Sequence, residues 1–231
     1  MTLSKQEREE LLRVYSDLRV TDVRDGMDTL MLHNVGSMHH SIRPVFRTKA
    51  FGIAKTVRYV PADEEVPRMS PSEYWEWVGL YYKDVCPYPF LGDAESGDFC
   101  VIDQSGVDCG LMGSNNSLAG IRSGVRGYVT NGGVRDTDEL IIQKVPFWAP
   151  FMSQKMVQGR LKYDSKDIPV SVGGVLVYPG DVVVGDGDGV IVVPRKFALD
   201  VARFAQEEHQ RDKVGRRRLY QDMGMKLDET V

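Results

Sequence analysis

The chain has few cysteines, no long apolar run and no excess of basic residues, and each lack excludes a class of protein. Its cysteines (Cys86, Cys100 and Cys109) are an odd number and form no C-x-x-C pair, so we expect reduced thiols. No apolar stretch is long enough to cross a bilayer, and the charged start MTLSKQEREELL does not resemble a secretory signal. These absences predict a cytoplasmic protein with no membrane contact.

The overall charge is slightly negative, which argues against a nucleic-acid partner. The net charge is -4 and the sequence pI is about 5.6. A basic cluster at residues 213–218 reads KVGRRR, and we interpret it as a solvated or intersubunit face. With 231 residues, 42% of them hydrophobic and 27% charged, the chain is typical of one globular domain spanning residues 1–231.

Glycine is plentiful but is not arranged as in a dinucleotide-binding fold. No G-x-G-x-x-G follows a first strand, and GDGDG at residues 185–189 lies between two apolar runs, which indicates a turn. Hydrophobic periodicity and turn residues predict the elements in the following order. They are helix 4–18, a helix capped by Thr21 or Asp22 and running through Leu32, strand 50–60, a helix from Ser72, strand 99–103, helix 114–123, strand 127–130, a short helix from Thr137, an apolar strand near 145–151, short Val-rich strands over 168–194, and a helical tail near 195–231.

Two features that can bind an anion lie between Gly110 and Asp136. The first is a Gly/Ser/Asn turn at residues 113–116 that opens a helix, whose unpaired N–H groups and positive dipole end can hold a carboxylate. The second is Arg135 followed by Asp136, just past a strand and a Gly-Gly loop. An arginine clamps a carboxylate through parallel hydrogen bonds, and an aspartate binds a hard divalent cation. Together they predict a site for a small carboxylic acid.

This stretch resembles the signature of the class II pyruvate aldolases that act on 4-hydroxy-4-methyl-2-oxoglutarate and 4-carboxy-4-hydroxy-2-oxoadipate, a family that includes the ribonuclease E regulator RraA. The family pattern is G-x-x-x-D/E, twenty residues, then R-D; here Gly110 is followed by Ser114, residues 115–134 and Arg135-Asp136. DVRDGMDTL, FGIAKTVRYV and residues 170–194 resemble other family segments. An aromatic-rich insertion near residues 61–98 is outside the resemblance.

The resemblance implies an α/β fold, the αββα sandwich related to the phosphohistidine swivelling domain, assembled as homotrimers or as hexamers made of two trimers. It also implies a lyase that uses Mg²⁺, Mn²⁺ or another divalent metal and cleaves a small 2-oxo acid by a retro-aldol or decarboxylation reaction. A 2-oxo or 2-hydroxy acid and further copies of the chain are therefore the expected partners.

The site roles follow from the same resemblance. Asp136 is the expected metal ligand and Arg135 the expected contact to the substrate carboxylate or keto oxygen, the alternative being a structural ion pair or helix cap. Gly113 allows a ligand to approach the backbone closely. The backbone N–H groups of Ser114, Asn115 and Asn116 receive the substrate carboxylate. A glutamate from the terminal helix of a neighbouring subunit is expected to reach the site, with Glu207 and Glu208 as candidates, or else these two lie on a solvated face.

Ser114 stands where the family has an acidic residue that orders a water acting as general base. A serine without a His or Lys partner is a poor base at neutral pH, and losing such a group costs about 10²–10⁴-fold in rate. Three alternatives follow. Asp103 or Asp108 takes over the role, the reaction needs no such base (as in oxaloacetate decarboxylation), or the protein performs different metal-dependent chemistry, such as that of a hydrolase or dehydratase. A non-catalytic regulator of the RraA kind is the rival to all three.

The aromatic residues of the insertion are interpreted as core or interface residues rather than as a substrate box. The segment itself either shapes the mouth of the pocket or covers a subunit contact. The residues concerned are Trp75, Trp77, Tyr81, Tyr82 and Tyr88.

Overall fold

The helices at Lys5–Val14 and Pro71–Leu80 each begin at a reciprocal capping pair. Ser4 accepts a hydrogen bond from the Glu7 N–H while the Glu7 carboxylate accepts one from the Ser4 N–H, and Ser70 and Glu73 repeat this reciprocal arrangement. The computed structural model describes residues 3–231. Its α-helices are α1 (Lys5–Val14), α2 (Val20–Thr29), α3 (Pro71–Leu80), α4 (Pro89–Gly92), α5 (Ser114–Arg122), α6 (Thr137–Ile142) and α7 (Ala198–Asp222).

Most strands are short, and many are buried along their whole length. They are β1 (Arg43–Pro44), β2 (Ala50–Pro61), β3 (Asp98–Asp103), β4 (Gly110–Met112), β5 (Gly127–Thr130), β6 (Gly133–Val134), β7 (Phe147–Ala149), β8 (Phe151–Met152), β9 (Leu161–Lys166), β10 (Val170–Val172), β11 (Val175–Val177), β12 (Val182–Asp186) and β13 (Gly189–Val193).

The main sheet has the strand order β1-β7-β5-β3-β2-β12-β13 and is nearly closed. Strands β2, β3, β5 and β7 run parallel, whereas β12 pairs antiparallel with the first half of β2 and β9 with its second half. The strands β4, β6 and β8 form a separate parallel sheet. The turn at residues 113–116 follows β4, and the Arg135-Asp136 pair follows β6. The strand pattern confirms the predicted mixed α/β fold.

Helices α1, α2 and α7 cover one region of the main sheet. Leu11, Tyr15 and Val201 are buried there with apolar side chains of β12 and β13. A hydrogen-bonded polar pair lies inside this layer: His209 Nδ1 of α7 is 2.9 Å from Asp22 Oδ2 of α2, and both side chains are buried. The long terminal helix is therefore held by polar as well as apolar contacts.

The second helix differs from the prediction in its cap and its length. It begins at Val20 after Arg19, and Asp22 lies inside the first turn, where its Oδ2 accepts the Arg19 N–H at 2.9 Å. It ends at Thr29 rather than at Leu32. Asp22 is drawn inward because it pairs with His209, a tertiary contact that a capping pattern cannot show. The strands predicted over 168–194 and the GDGDG turn are confirmed as β10–β13.

The insertion forms α3, a turn of π-helix at Tyr81–Val85, and α4. Its helix starts at Pro71, one residue before the predicted Ser72. The apolar side chains of this helix are only partly buried: Val78 is covered, but Trp75 is 66% exposed and Leu80 is 51% exposed. The insertion therefore adds both core and an apolar surface.

Among residues 3–231, no helix combines the length and apolar character needed to cross a bilayer. The three cysteines are buried and unpaired, as predicted. Burial raises the pKa of the Cys109 thiol to about 11, so this thiol is protonated at neutral pH and is a weak nucleophile.

Candidate functional site

The ends of two parallel strands bring the predicted site residues together. Strands β4 and β6 run parallel, with Gly110 opposite Gly133 and Met112 opposite Val134, and the register shifts between these two pairs. Parallel neighbours end at the same edge, so the turn that follows β4 meets the Arg135-Asp136 pair that follows β6. Ser114 and Asp136, which are 22 residues apart in the chain, are thus brought into contact.

The Asp136 carboxylate lies between the start of helix α5 and the Arg135 side chain. Its Oδ2 accepts a hydrogen bond from the Ser114 N–H at 3.1 Å, and its Oδ1 accepts one from Arg135 Nε at 3.0 Å. Asp136 has a left-handed backbone (φ 55°, ψ 43°) and precedes α6, yet its side chain makes no capping bond to that helix. This backbone conformation turns the carboxylate away from α6 and toward α5.

Glycines make this approach possible. A Cβ on Gly113 would lie 3.0 Å from Asp136 Cγ and would overlap Oδ2, while a Cβ on Gly110 would lie 2.7 Å from Arg135 Cβ. Gly113 was expected to admit a ligand to the backbone; here it admits the carboxylate of Asp136. Gly110, which is part of the motif, is required because a side chain there would overlap the side chain of Arg135.

Helix α5 offers three N–H groups that have no acceptor within the helix. Its first intrahelical bond runs from the Ser117 N–H to the Gly113 carbonyl at 3.1 Å, so the N–H groups of Ser114, Asn115 and Asn116 precede it. Asp136 takes the first of the three. The other two, together with the positive end of the helix dipole, remain suited to a second anion.

A cavity of about 430 Å³ opens beside Arg135 and Asp136. The side chains of Arg135 and Asp136 are each one-third exposed, so both are accessible from it. Thr137 contributes a hydroxyl, and Ser153 and Gln154 contribute a hydroxyl and an amide from the loop after β8. The last two were missed in the sequence because no motif marks them. Their only signal is that β8 is the third strand of the small parallel sheet.

The candidate replacements for the family acid lie elsewhere. Asp103 Oδ1 accepts hydrogen bonds from Asn131 Nδ2 at 2.7 Å and from the Ser105 N–H at 2.9 Å, which stabilise the turn after β3. Asp108 pairs with Lys155, and the hydrogen bonds from Lys155 and Ser153 hold the pKa of this carboxyl below its ordinary value. Neither residue is part of the cavity lining. A role for either in proton transfer stays a prediction.

Glu207 and Glu208 lie on α7, which packs against α1 and α2 in the same chain. Glu207 is exposed, and Glu208 pairs with Arg211 one turn further along the helix. A role at the site would require them to come from another copy, as predicted, and that role also stays a prediction.

The insertion supports the floor of the site. The Tyr88 hydroxyl donates a hydrogen bond to the Leu111 carbonyl of β4 at 2.9 Å. Burial raises the pKa of Tyr88 above its ordinary value, so the hydroxyl keeps the proton it donates. Tyr88 therefore ties the insertion to β4, the strand that precedes Gly113.

Comparisons with known proteins define the class to which this fold and site belong. The RraA-like family, described as Aldolase/RraA, matches residues 20–192, and the chain belongs to this family.

Curated relatives include two proteins named "Putative 4-hydroxy-4-methyl-2-oxoglutarate aldolase". The one from Deinococcus radiodurans is 35% identical over 42% of this chain and 61% of its own length. The one from Halalkalibacterium halodurans is 31% identical over 58% of this chain and 64% of its own. Protein DlpA of Legionella pneumophila is 25% identical over 70% of this chain but 24% of its own length. The chain thus spans about three-fifths of the two aldolase-named relatives and about a quarter of DlpA.

Solved structures share the fold over nearly the whole chain. A protein from Pseudomonas syringae has a TM-score of 0.73 at 22% identity and covers 96% of both chains. RraAS2 of Streptomyces coelicolor, described as an unusual member of the RNase ES inhibitor RraA family, has a TM-score of 0.70 at 25% identity and covers 90% of this chain and 96% of its own. The fold is therefore that of the RraA family.

Proposed function

We propose that this protein is a divalent-metal-dependent carbon–carbon lyase that releases pyruvate or an analogue from a small 2-oxo acid, with oxaloacetate decarboxylation as its favoured reaction. The observation that carries the proposal is that Arg135 and Asp136 line one cavity while the Asp136 carboxylate is hydrogen-bonded to Arg135 and to the first N–H of α5. The family and the aldolase-named relatives support a lyase of this type.

The groups around the cavity fit a hard divalent cation such as Mg²⁺ or Mn²⁺. Within residues 3–231, Asp136 is the only carboxylate in the lining, which also includes the neutral side chains of Thr137, Ser153 and Gln154. Among residues 3–231 no three His, Cys, Asp or Glu side chains are grouped as a metal site. The fit is therefore to a metal that keeps most of its waters and takes Asp136 as its protein ligand, a mode that Mg²⁺ favours. When bound, the metal would supply Lewis-acid polarisation of the substrate keto oxygen.

The charge arrangement supports a requirement for a cation in substrate binding. The free N–H groups of Asn115 and Asn116 are suited to the 1-carboxylate of a 2-oxo acid, but the Asp136 carboxylate already holds the neighbouring N–H. Two anions side by side repel each other. A cation on Asp136 removes this repulsion and lets the helix N-terminus receive the substrate.

Bond cleavage places negative charge on the keto oxygen. In oxaloacetate the bond between C3 and the C4 carboxylate breaks, carbon dioxide leaves, and the electron pair passes to an enolate. The Arg135 guanidinium and the α5 N-terminus stabilise this charge electrostatically. Solvent then protonates C3, so the reaction needs no base at Ser114. Retro-aldol cleavage does need a group to remove the proton of the 4-hydroxyl, and the cavity lining offers no second carboxylate for it.

The test is to measure pyruvate release from oxaloacetate and from 4-hydroxy-4-methyl-2-oxoglutarate with Mg²⁺ or Mn²⁺ and then with EDTA. Metal-dependent turnover of oxaloacetate, with the aldol substrate at least a hundredfold slower, is the expected result. Equal turnover of both would mean that another carboxylate supplies the base. Metal binding without turnover of either acid would point to hydrolase or dehydratase chemistry on a related acid.

A non-catalytic regulator is the second candidate, favoured by the likeness to RraAS2 and by the serine at position 114. It predicts no metal binding and no turnover. Binding of Mn²⁺ that is lost when Asp136 is replaced would contradict it.

A further inference from the structure

An apolar groove lies on the insertion and is ringed by unpaired negative charge. The groove has a volume of about 260 Å³, and its apolar wall includes Val66, Trp77 and Leu80. Glu64, Glu65 and Asp84 line it as well, and all three are exposed. We call this feature the insertion groove. No ion pair engages these three carboxylates among residues 3–231, so their charges add to a local negative potential.

The C-terminal half of α7 carries exposed positive charge. Lys213, Arg217 and Arg218 make no ion pair within residues 3–231, unlike Arg211 and Arg216, which bond to Glu208 and Asp212. Val214 is 67% exposed and Leu219 is 57% exposed beside them. We call residues 213–219 the basic segment. It combines cationic side chains with apolar ones on an exposed helix.

We propose that the insertion groove of one copy binds the basic segment of a second copy of this chain. The two surfaces match in charge, three unpaired carboxylates against three unpaired cations, and both leave large apolar side chains exposed. Arginine and lysine can lay their aliphatic stems on the apolar wall and place their charges at the acidic rim. A free peptide or polyamine would satisfy the charges but would leave the exposed apolar side chains of α7 uncovered.

The groove and the segment are different surfaces, so the contact is head-to-tail and is repeated from copy to copy. It also borders the candidate site. Gly159 lines the groove, and Ser153 and Gln154 of the same loop line the cavity beside Asp136. Binding of a second copy would therefore hold the loop that shapes the cavity.

The test is light scattering after size-exclusion chromatography of the full chain and four variants. The wild type is expected to be oligomeric. Glu64→Lys with Glu65→Lys, and separately Arg217→Glu with Arg218→Glu, are each expected to weaken self-association at least tenfold, because like charges then face each other. The quadruple variant restores opposite charges and is expected to associate again. Glu9→Lys with Glu10→Lys makes the same change of net charge on α1 as the Glu64 and Glu65 variant does, and it is the control for that variant that keeps the wild-type mass.

A zero-length carbodiimide cross-link gives a second readout. The expected product joins the Lys213 amine of one copy to Glu64, Glu65 or Asp84 of another, identified as intermolecular by mixing ¹⁴N- and ¹⁵N-labelled protein. A monomeric wild type, an oligomer that survives both charge reversals, or a quadruple variant that stays dissociated would each overturn the proposal. Binding of spermidine to the groove without self-association would overturn it too. None of these outcomes depends on lyase activity.

Discussion

Replacing Asp136 by asparagine separates a functional carboxylate from a structural one, because the two roles predict opposite effects on anion binding. Asparagine keeps the shape of the side chain but has one acceptor oxygen, so it can keep only one of the two hydrogen bonds, to Ser114 N–H or to Arg135 Nε. The side chain is one-third exposed, so we expect unfolding to become easier by only about 1 kcal/mol. The variant should therefore fold.

The electrostatic effect can be estimated from the geometry. Two unit charges about 4 Å apart interact by about 1 kcal/mol in water and about 4 kcal/mol at a partly buried site. Because Asp136 is partly exposed, we take about 1–2 kcal/mol for its repulsion of an anion at Asn115 and Asn116. Removing the charge should tighten metal-free binding of oxalate, a two-carboxylate probe, by roughly 5- to 30-fold. Binding of Mn²⁺ and pyruvate release should fall at least a hundredfold in the same variant.

Calorimetric titration of oxalate and of Mn²⁺, with a coupled assay for pyruvate, measures all three quantities. Asp63→Asn is the matched control, because it removes a carboxylate that is paired with Lys162 outside the cavity. It should leave metal and oxalate binding unchanged. If Asp136→Asn binds Mn²⁺ as the wild type does, or binds metal-free oxalate more weakly than the wild type, the assignment of Asp136 is refuted.

Three further predictions follow. Gly113→Ala should destabilise the fold by about 1–3 kcal/mol and weaken Mn²⁺ binding, since its Cβ would overlap the Asp136 carboxylate, whereas Gly79→Ala, which meets no atom within 4 Å, should be neutral or stabilising in urea unfolding. Ser114→Asp should raise cleavage of 4-hydroxy-4-methyl-2-oxoglutarate by about 10²–10⁴-fold in the pyruvate assay; an unchanged rate would mean that the missing acid is not what limits this reaction. Burial favours a raised pKa for Asp22, but the hydrogen bonds from Arg19 and the charge of His209 outweigh it and hold the pKa below its ordinary value. That stabilisation is present above about pH 4 and is lost as the pH falls through the lowered pKa. Asp22→Asn should therefore flatten the acid limb of a urea-midpoint profile, and an unchanged limb would contradict the assignment.

Sequence reasoning succeeded where one local pattern decides the outcome. The motif spacing identified the turn at residues 113–116 and the Arg135-Asp136 pair, but the two short parallel strands that bring Ser114 and Asp136 together, β4 and β6, were not predicted. It failed where a tertiary contact decides. Asp22 reads as a cap but is buried against His209, nearly the whole chain away. Ser153 and Gln154 reach the cavity only because β8 joins β6, and nothing in their own residue types indicates it.

The serine at position 114 also changes the charge of the site, and this favours one class of substrate. Arg135 and the α5 N-terminus supply positive charge, and Asp136 is the only carboxylate in the cavity lining. A second carboxylate at position 114, as the family pattern has, would make the site one unit more negative and would hold a divalent metal more tightly. With serine there, we expect weaker metal binding but less repulsion of doubly charged acids. Oxaloacetate carries two carboxylates and needs no base to lose one of them, so charge and proton chemistry both favour the same substrate. Ser114→Asp should therefore tighten Mn²⁺ binding and weaken oxalate binding in the same titrations, and opposite changes would show that position 114 does not face the bound acid.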